Sequence, residues 1–329
     1  MPTVLVTGGA GYIGSHTIRR LSEAGYEILV YDTLEKGHAA AVANYRLVVG
    51  DIQDGLKLDR VFREFDVQSV VHFAAYIEAG ESVKDPGKHF RNNTCGTLSL
   101  LEAMVRSDVR QLVFSSTAAV YGEPERVPIE ETDRKEPTNA YGLSKLMVEQ
   151  MLDWFHRAHG LRSISLRYFN AAGADPSGEV GECHRPETHL IPLILQVPLG
   201  QREKILIFGD DYDTPDGTCI RDYIHVVDLA SAHVAALKAL DGGAERNAYN
   251  VGNGNGFSVK QVIEVAREVT GHPIPAEVQP RRPGDPARLV ASSEKLRREL
   301  GWEPKYPDLR DIVGSAWKWF QSRPEGYAR

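Results

Sequence analysis

Cysteine is scarce in this chain: Cys95, Cys183 and Cys219 are the only three among 329 residues, odd in number and widely spaced. That usage suggests neither a disulfide framework nor a zinc site, so no metal is expected. Long apolar runs are missing too. No stretch reaches the roughly 18 apolar residues that a spanning helix needs, and Met1-Pro2-Thr3 leads directly into a strand with no basic n-region and no apolar h-region. A cytoplasmic protein without membrane contact is the expectation. Basic excess is absent as well: the formal charge of −7 argues against phosphate-backbone binding as a main task, so no nucleic-acid partner is expected. Local basic residues can still hold one small anion. Internal repeats and low-complexity tracts do not occur, and the length suits one large or two unequal domains.

Against these absences stands one glycine-rich stretch. Val4-Leu5-Val6-Thr7 runs into Gly8-Gly9-Ala10-Gly11-Tyr12-Ile13-Gly14, after which Ile13, Thr17, Ile18 and Leu21 recur at helical spacing. That order is strand, tight turn, helix. Gly8, Gly11 and Gly14 lie three apart, and Gly9, Gly11 and Gly14 satisfy the G-x-G-x-x-G spacing that lets backbone approach a pyrophosphate at a helix N-terminus. A second apolar strand, Ile28-Leu29-Val30-Tyr31, ends in Asp32. An acidic residue about 20 positions past the glycines binds the adenosine ribose hydroxyls in such folds, and its charge repels a 2′-phosphate, which points to NAD.

Short β-rich runs then alternate with helical stretches, the signature of an α/β fold with a doubly wound parallel (Rossmann-type) sheet. A strand ends at Asp51, which either touches the adenine or caps the helix expected over 56–65. The next runs into Phe73-Ala74-Ala75, small residues of the kind found where a chain passes a ligand at the carboxyl edge of a sheet. Helices are expected over 85–105 and 140–159, strands over 111–117 and 163–169, and a surface loop over 122–137. Past Asn170 the alternation ends. Residues 172–187 and 209–217 read as loops, and 190–199 has apolar spacing around Pro192. Strands are expected over 205–208, 222–227 and 247–251, and helices over 259–270 and 294–300. The expected division is a cofactor domain over 1–169, with 220–245 returning to it, and a smaller mixed domain over 170–219 and 246–329 that binds substrate.

Tyr141-Gly142-Leu143-Ser144-Lys145 sets a phenol and an ammonium four residues apart, on one helix face. A free tyrosine has a pKa near 10, and a neighbouring cation can lower it by about one to three units, making a general base. The spacing alone equally suits an exposed helix pair. Position favours chemistry: the pair opens the helix after the fifth strand, one strand from the hydroxyl triplet Ser115-Ser116-Thr117.

Taken together these stretches resemble the extended branch of the short-chain dehydrogenase/reductase superfamily and, over essentially the whole length, its UDP-glucose 4-epimerases. The resemblance is carried by residues 6–17, 80–83, 114–122, 141–149, 166–170 and 221–226, and by the acidic loop 208–218. It implies that Tyr141, as phenolate, takes the proton of the sugar 4-hydroxyl while the 4-hydride moves to tightly held NAD. Lys145 would lower the Tyr141 pKa and bind the nicotinamide ribose, and Thr117 would hydrogen-bond the 4-oxygen. Cofactor contacts are implied for Gly8, Gly11, Tyr12, Ile13, Gly14, Asp32, Asp51, Ile52, Phe73, Ala74, Ala75, Asn92, Ser115, Tyr141, Lys145 and Phe169. For the UDP-sugar they are Thr117, Tyr141, Asn170, Leu190, Arg221, Arg282, Asp285 and Leu289, with the two arginines on the diphosphate and Asp285 on the uridine ribose. A homodimer through the helices at 85–105 and 140–159 is also implied.

Two positions depart from the family pattern. Ile77 stands where many members carry a lysine, which removes one polar contact near the cofactor. Leu289 stands where members restricted to unsubstituted hexoses carry tyrosine and others something smaller, so UDP-N-acetylglucosamine is expected to be tolerated. Among rival readings, a nucleotide-sugar 4,6-dehydratase needs an acid and a base just after Thr117, where this chain has Ala118 and Ala119. A decarboxylase, a uronate epimerase and a non-catalytic NAD sensor share the fold. Intact Tyr141, Lys145 and Thr117 argue against the sensor.

Overall fold

The computed structural model describes residues 1–282 and 285–327. Its centre is a sheet of β1 (Thr3–Thr7), β2 (Glu27–Asp32), β3 (Arg46–Val49), β4 (Val67–His72), β5 (Gln111–Ser115), β6 (Arg162–Tyr168) and β7 (Arg246–Val251). The strands run in the order β7-β6-β5-β4-β1-β2-β3, and every neighbouring pair is parallel. β1 is buried throughout because helices cover both faces. Chain order reverses between β1 and β4, so their carboxyl ends open a crevice beside Thr7, which stands between Tyr31 and His72.

The two faces are built by helices of opposite membership. On one, α1 (Tyr12–Glu23) and a helix over Val226–Asp241 bring Ile18, Leu21, Leu229 and Leu237 onto Val4, Val6 and Val30. On the other, Gly55–Glu64, Thr97–Arg106 and α2 (Ala140–His159) bring Leu58, Leu101, Met104 and Leu152 onto Leu5, Leu29 and Val70. Each fully buried aliphatic side chain contributes roughly 1.5–3 kcal/mol, so these layers hold the sheet edge where the site lies. Beyond the sheet a third apolar cluster gathers Ile191, Leu195, Ile205, Ile207, Ile263, Ile312 and Val313. Buried Asp222 ties that region together, accepting from the Asn253, Gly254 and Ala291 amides at 2.7, 3.2 and 3.1 Å.

Several expectations need correction. The single helix over 85–105 is three pieces: Pro86–His89, a wide π turn over Phe90–Gly96, and Thr97–Arg106. The turn opens where the Asn93 amide takes Tyr76 N–H at 2.9 Å and donates to Tyr76 O at 2.9 Å; such turns favour functional sites. Residues 246–251, expected in the smaller domain, are the β7 edge strand, because Arg246 to Val251 pair in register with Ser163 to Tyr168. The strand over 222–227 is only Tyr223–His225 before the helix at Val226 begins. That helix has no counterpart in the sequence reading: ten of its sixteen residues are buried, including Asp228 and His233, which blurs the helical period. Leu309–Ser322 was missed likewise. Pro192 sits in the first turn of Leu190–Leu195, where its missing N–H costs nothing. No helix among the described residues is long and apolar enough to cross a membrane.

Candidate active site

A cavity of about 660 Å³ occupies the crevice at the carboxyl ends of β1, β2 and β4. Gly8 takes φ +71°, and a Cβ there would lie 2.5 Å from the Ala74 amide nitrogen. At Gly14 it would lie 2.4 Å from Gly8 O. Only glycine lets these backbones meet. Gly11 is the N-cap of α1; it offers no capping side chain, and the first turn holds no acidic residue. The orphan amides of that turn therefore suit an anion such as a pyrophosphate. Asp32 closes β2 beside them, its carboxylate accepting from Ala10 N at 3.0 Å and Leu34 N at 2.8 Å, while burial raises its pKa. Tyr12, Ile13, Ile52, Phe73, Ala74, Ala75 and Asn92 line the same cavity. So does Asp51, and the choice left open for it narrows: Asp51 accepts from Gln53 N at 2.8 Å, whereas Asp54 caps the helix through Lys57 N at 3.0 Å.

The opposite wall carries the phenol. Asn139 caps α2 by accepting from Gly142 N at 2.9 Å, and a Cβ on Gly142 would lie 2.6 Å from Ala119 O. Helix and turn thus touch backbone to backbone, bringing Tyr141 and Thr117 to one cavity wall. The Thr117 hydroxyl also accepts from Ala119 N at 3.1 Å. Lys145 is buried behind them. Its ammonium donates to Ser115 O at 2.8 Å and lies 4.9 Å from the Phe114 ring centre. Ser115 hydrogen-bonds the Tyr168 hydroxyl. Neither Lys145 nor Ser115 contributes to the cavity lining.

Burial acts on both members of the Tyr141/Lys145 pair. Burial raises the Tyr141 phenol, and a hydrogen bond with Thr117 pulls it down. Lys145 itself is pushed down to about 7 by burial. An unfolded lysine titrates near 10.4, so above about pH 7 the unfolded chain binds more protons at this residue and its contribution to stability rises with pH. Below that both states are protonated and the slope vanishes. Cofactor-free Lys145→Met should therefore gain most in melting temperature over the parent near pH 6.5, with the gain shrinking toward about pH 10. Melting curves with a pH-independent difference would contradict this origin.

The residues expected to bind substrate divide into two groups. Asn170 and Phe169 line the cavity, and the Asn170 amide donates to Asp222 O at 3.0 Å. Arg221, Arg282, Asp285 and Leu289 form an adjoining shelf outside the lining. Arg221 pairs with Asp285 and sits opposite Leu289 in register, and Cys219 feels Arg221, Asp285 and Arg282 together. Arg282 stands 3.9 Å over the Phe208 ring. Leu289 and the cavity-lining Phe169 both pack against the small apolar cluster of Ala118, Val120, Tyr121 and Ile129. Leu190 lies half-buried against the third apolar cluster, also outside the lining.

The cavity has walls that the sequence reading passed over. Lys36, Lys88 and Arg91 supply cations at its edge, near Ile77, where the family lysine is missing. Glu182, His184, His189 and Tyr327 also line it. The sequence run Glu182-x-His184-x-x-Glu187-x-His189 brings Glu182, His184 and His189 to one stretch of that wall.

A family model described as NAD dependent epimerase/dehydratase matches residues 4–252. The UDP-glucose 4-epimerase of Halalkalibacterium halodurans is 57% identical over 325 residues, covering 99% of this chain and 97% of the relative. A crystal structure of a UDP-glucose 4-epimerase superposes with a TM-score of 0.98 at 52% identity, covering 99% of this chain and all of the other. The UDP-glucose 4-epimerase of Stenotrophomonas maltophila, solved with NAD and formylated UDP-arabinopyranose, gives a TM-score of 0.95 at 40% identity, covering 98% and 99%.

Proposed function

This chain belongs to the NAD dependent epimerase/dehydratase family, and from that premise we propose that it interconverts UDP-glucose and UDP-galactose by inverting carbon 4, linking galactose to glucose metabolism. The observation that carries the reading is the convergence of Tyr141 and Thr117 on the cavity that also receives the uncapped end of α1. NAD fits there: the orphan amides suit its pyrophosphate, the closely packed glycines leave room for it, and Asp32 suits the adenosine ribose. Bound NAD supplies a reversible hydride acceptor whose oxidised ring carries the positive charge that burial denies the phenol.

The chain's own residues then manage one proton and one sugar. Tyr141, as phenolate, takes the 4-hydroxyl proton as the carbon-4 hydrogen leaves with its electron pair, and Thr117 holds the 4-oxygen. The 4-keto sugar turns within the cavity, Tyr141 returns the proton, and the hydride comes back to the other face. No net oxidation results. Lys145 keeps the floor under Tyr141 through Ser115 O, and Arg221 and Arg282 meet the diphosphate. Ala118 and Ala119, in the turn after Thr117, offer no acid or base for eliminating water.

Carbon-4-deuterated UDP-galactose, incubated without added nucleotide, should yield UDP-glucose that keeps its deuterium at carbon 4; loss of the label to water would sink the mechanism. Leucine at 289 leaves room for an N-acetyl group, so UDP-N-acetylglucosamine should also turn over. If UDP-glucose reacts in the same assay and the N-acetyl sugar does not, that tolerance is wrong.

The working unit in this proposal is a cytoplasmic homodimer. Leu143, Met147 and Trp154 form an exposed stripe on α2, beside exposed Leu98, an apolar face that a second copy can cover. Three free cysteines suit a reducing compartment. Light scattering should give twice the 36.4 kDa chain mass, and Met147→Glu should halve it; a parent mass of one chain rejects the dimer.

A further inference from the structure

The loop between Ala172 and α-helical Leu190 carries four side chains given no role in the reaction proposed above, three of which (Glu182, His184 and His189) line the edge of the same cavity. One donor atom from each of Glu182, His184, Glu187 and His189 lies within 4.8 Å of all the others. The approaches are short. His189 Nδ1 lies 2.8 Å from Glu182 Oε1 and 3.1 Å from Glu187 Oε1, and His184 Nδ1 lies 3.1 Å from Glu182 Oε1 and 3.5 Å from Glu187 Oε2. Only the His189–Glu187 contact has hydrogen-bond geometry. Glu182 Oε1 and His184 Nδ1 are buried with no hydrogen-bond partner at all, although the Glu182 side chain is 4% exposed. A buried carboxylate oxygen left without a partner is costly.

Donor atoms that crowd together with few hydrogen bonds among them are the arrangement a bound cation would satisfy. Two imidazoles and two carboxylates bound tetrahedrally at about 2.0–2.2 Å would stand roughly 3.3–3.6 Å apart; the histidine–carboxylate approaches run from 2.8 to 3.5 Å, and the four donors all lie within 4.8 Å of one another. The supporting contacts are present as well. Glu187 Oε1 accepts from Thr188 N at 2.7 Å and His189 N at 2.8 Å, and Trp319 Nε1 donates to Glu182 O at 3.0 Å. The reaction proposed above gives these donors no ligand.

We propose that Glu182, His184, Glu187 and His189 form a binding site for a divalent transition metal of the zinc class, which fastens this loop to the cavity wall. Nitrogen and carboxylate donors without thiolate suit zinc and cobalt over magnesium or calcium. With all four ligands supplied by the protein, the site is closed and structural. It acts on the wall that carries Tyr12, whose ring meets His184 edge-on at 6.1 Å.

Untagged full-length protein, stripped with chelator and dialysed against zinc, should hold about one zinc per chain by mass spectrometry. Cobalt(II) in its place should show the intense visible bands of tetrahedral N/O ligation. The double variant H184A/H189A should lose both signals while keeping the parent circular dichroism, and zinc should raise the melting temperature of the parent alone. Should the stripped parent take up no stoichiometric zinc, the four groups are a set of ion pairs and the proposal falls. It falls equally if the folded double variant binds zinc as the parent does. If that variant does not fold, the cobalt spectrum of the parent decides by itself.

Discussion

Tyr141→Phe should lose about 10²–10⁴-fold in turnover, the usual contribution of a positioned acid–base group, while UDP-galactose binding and the NAD content per chain stay near the parent's. The ring is half-buried on the cavity wall and its place depends on packing: Gly142 against Ala119 O and Asn139 capping α2 fix the start of the helix whether or not the hydroxyl is present. What phenylalanine removes is the hydroxyl that takes and returns the 4-hydroxyl proton in the proposed mechanism; Thr117 is too weak a base, and Lys145 is turned toward Ser115 O. Stopped-flow absorbance of the reduced nicotinamide should show the hydride step slowed together with overall turnover. A variant with parent-like turnover would remove Tyr141 from the chemistry and revive a purely binding protein.

The second large effect lies one layer behind the site. Arg167→Leu should cost about 3–5 kcal/mol of stability, the range for leaving one member of a buried pair alone. Arg167 and Glu149 are paired through two bonds, Nε to Oε1 at 2.9 Å and Nη2 to Oε2 at 2.5 Å, with side chains 5% and 10% exposed. Ser116 donates to the same carboxylate at 2.6 Å, and Arg167 Nη1 donates to the Tyr121 hydroxyl at 2.8 Å. Four elements meet there: β6, α2, the end of β5, and the turn that carries Thr117. Stranding Glu149 should therefore loosen the Thr117–Tyr141 wall as well as the fold. Arg167→Lys should recover only part of the loss, since an ammonium cannot make the forked contact. Arg167→Leu combined with Glu149→Leu should be more stable than Arg167→Leu alone. Denaturant unfolding of the three variants checks this. An Arg167→Leu midpoint equal to the parent's would show that the pair clamps nothing.

Local order decided which parts of this protein could be read in advance. Gly8, Gly11 and Gly14 next to an apolar strand, with Asp32 ending the following one, are short-range features, and the backbone approaches at Gly8 and Gly14 explain why no other residue serves. Helices 140–159, 259–270 and 294–300 carry their own periods and caps, and each is found at its expected limits. Where burial is nearly complete that signal fades: the helix over Val226–Asp241 is apolar on most sides and went unread. The π turn at Phe90–Gly96 depends on Asn93 reaching Tyr76, a partner 17 residues away that no local pattern announces.

By itself, then, the order of residues determined the glycine-rich strand–turn–helix, the α/β alternation, and the Tyr141/Thr117 pair proposed to move the proton. Tertiary structure alone decided how those groups meet. It turned the Lys145 ammonium toward the Ser115 carbonyl, kept Arg221 and Arg282 outside the cavity lining, and folded 182–189 back so that donor atoms of two glutamates and two histidines lie within 4.8 Å of one another. The physical reason is range: propensity and period act over a few residues, whereas desolvation and charge depend on whatever the packed chain brings alongside.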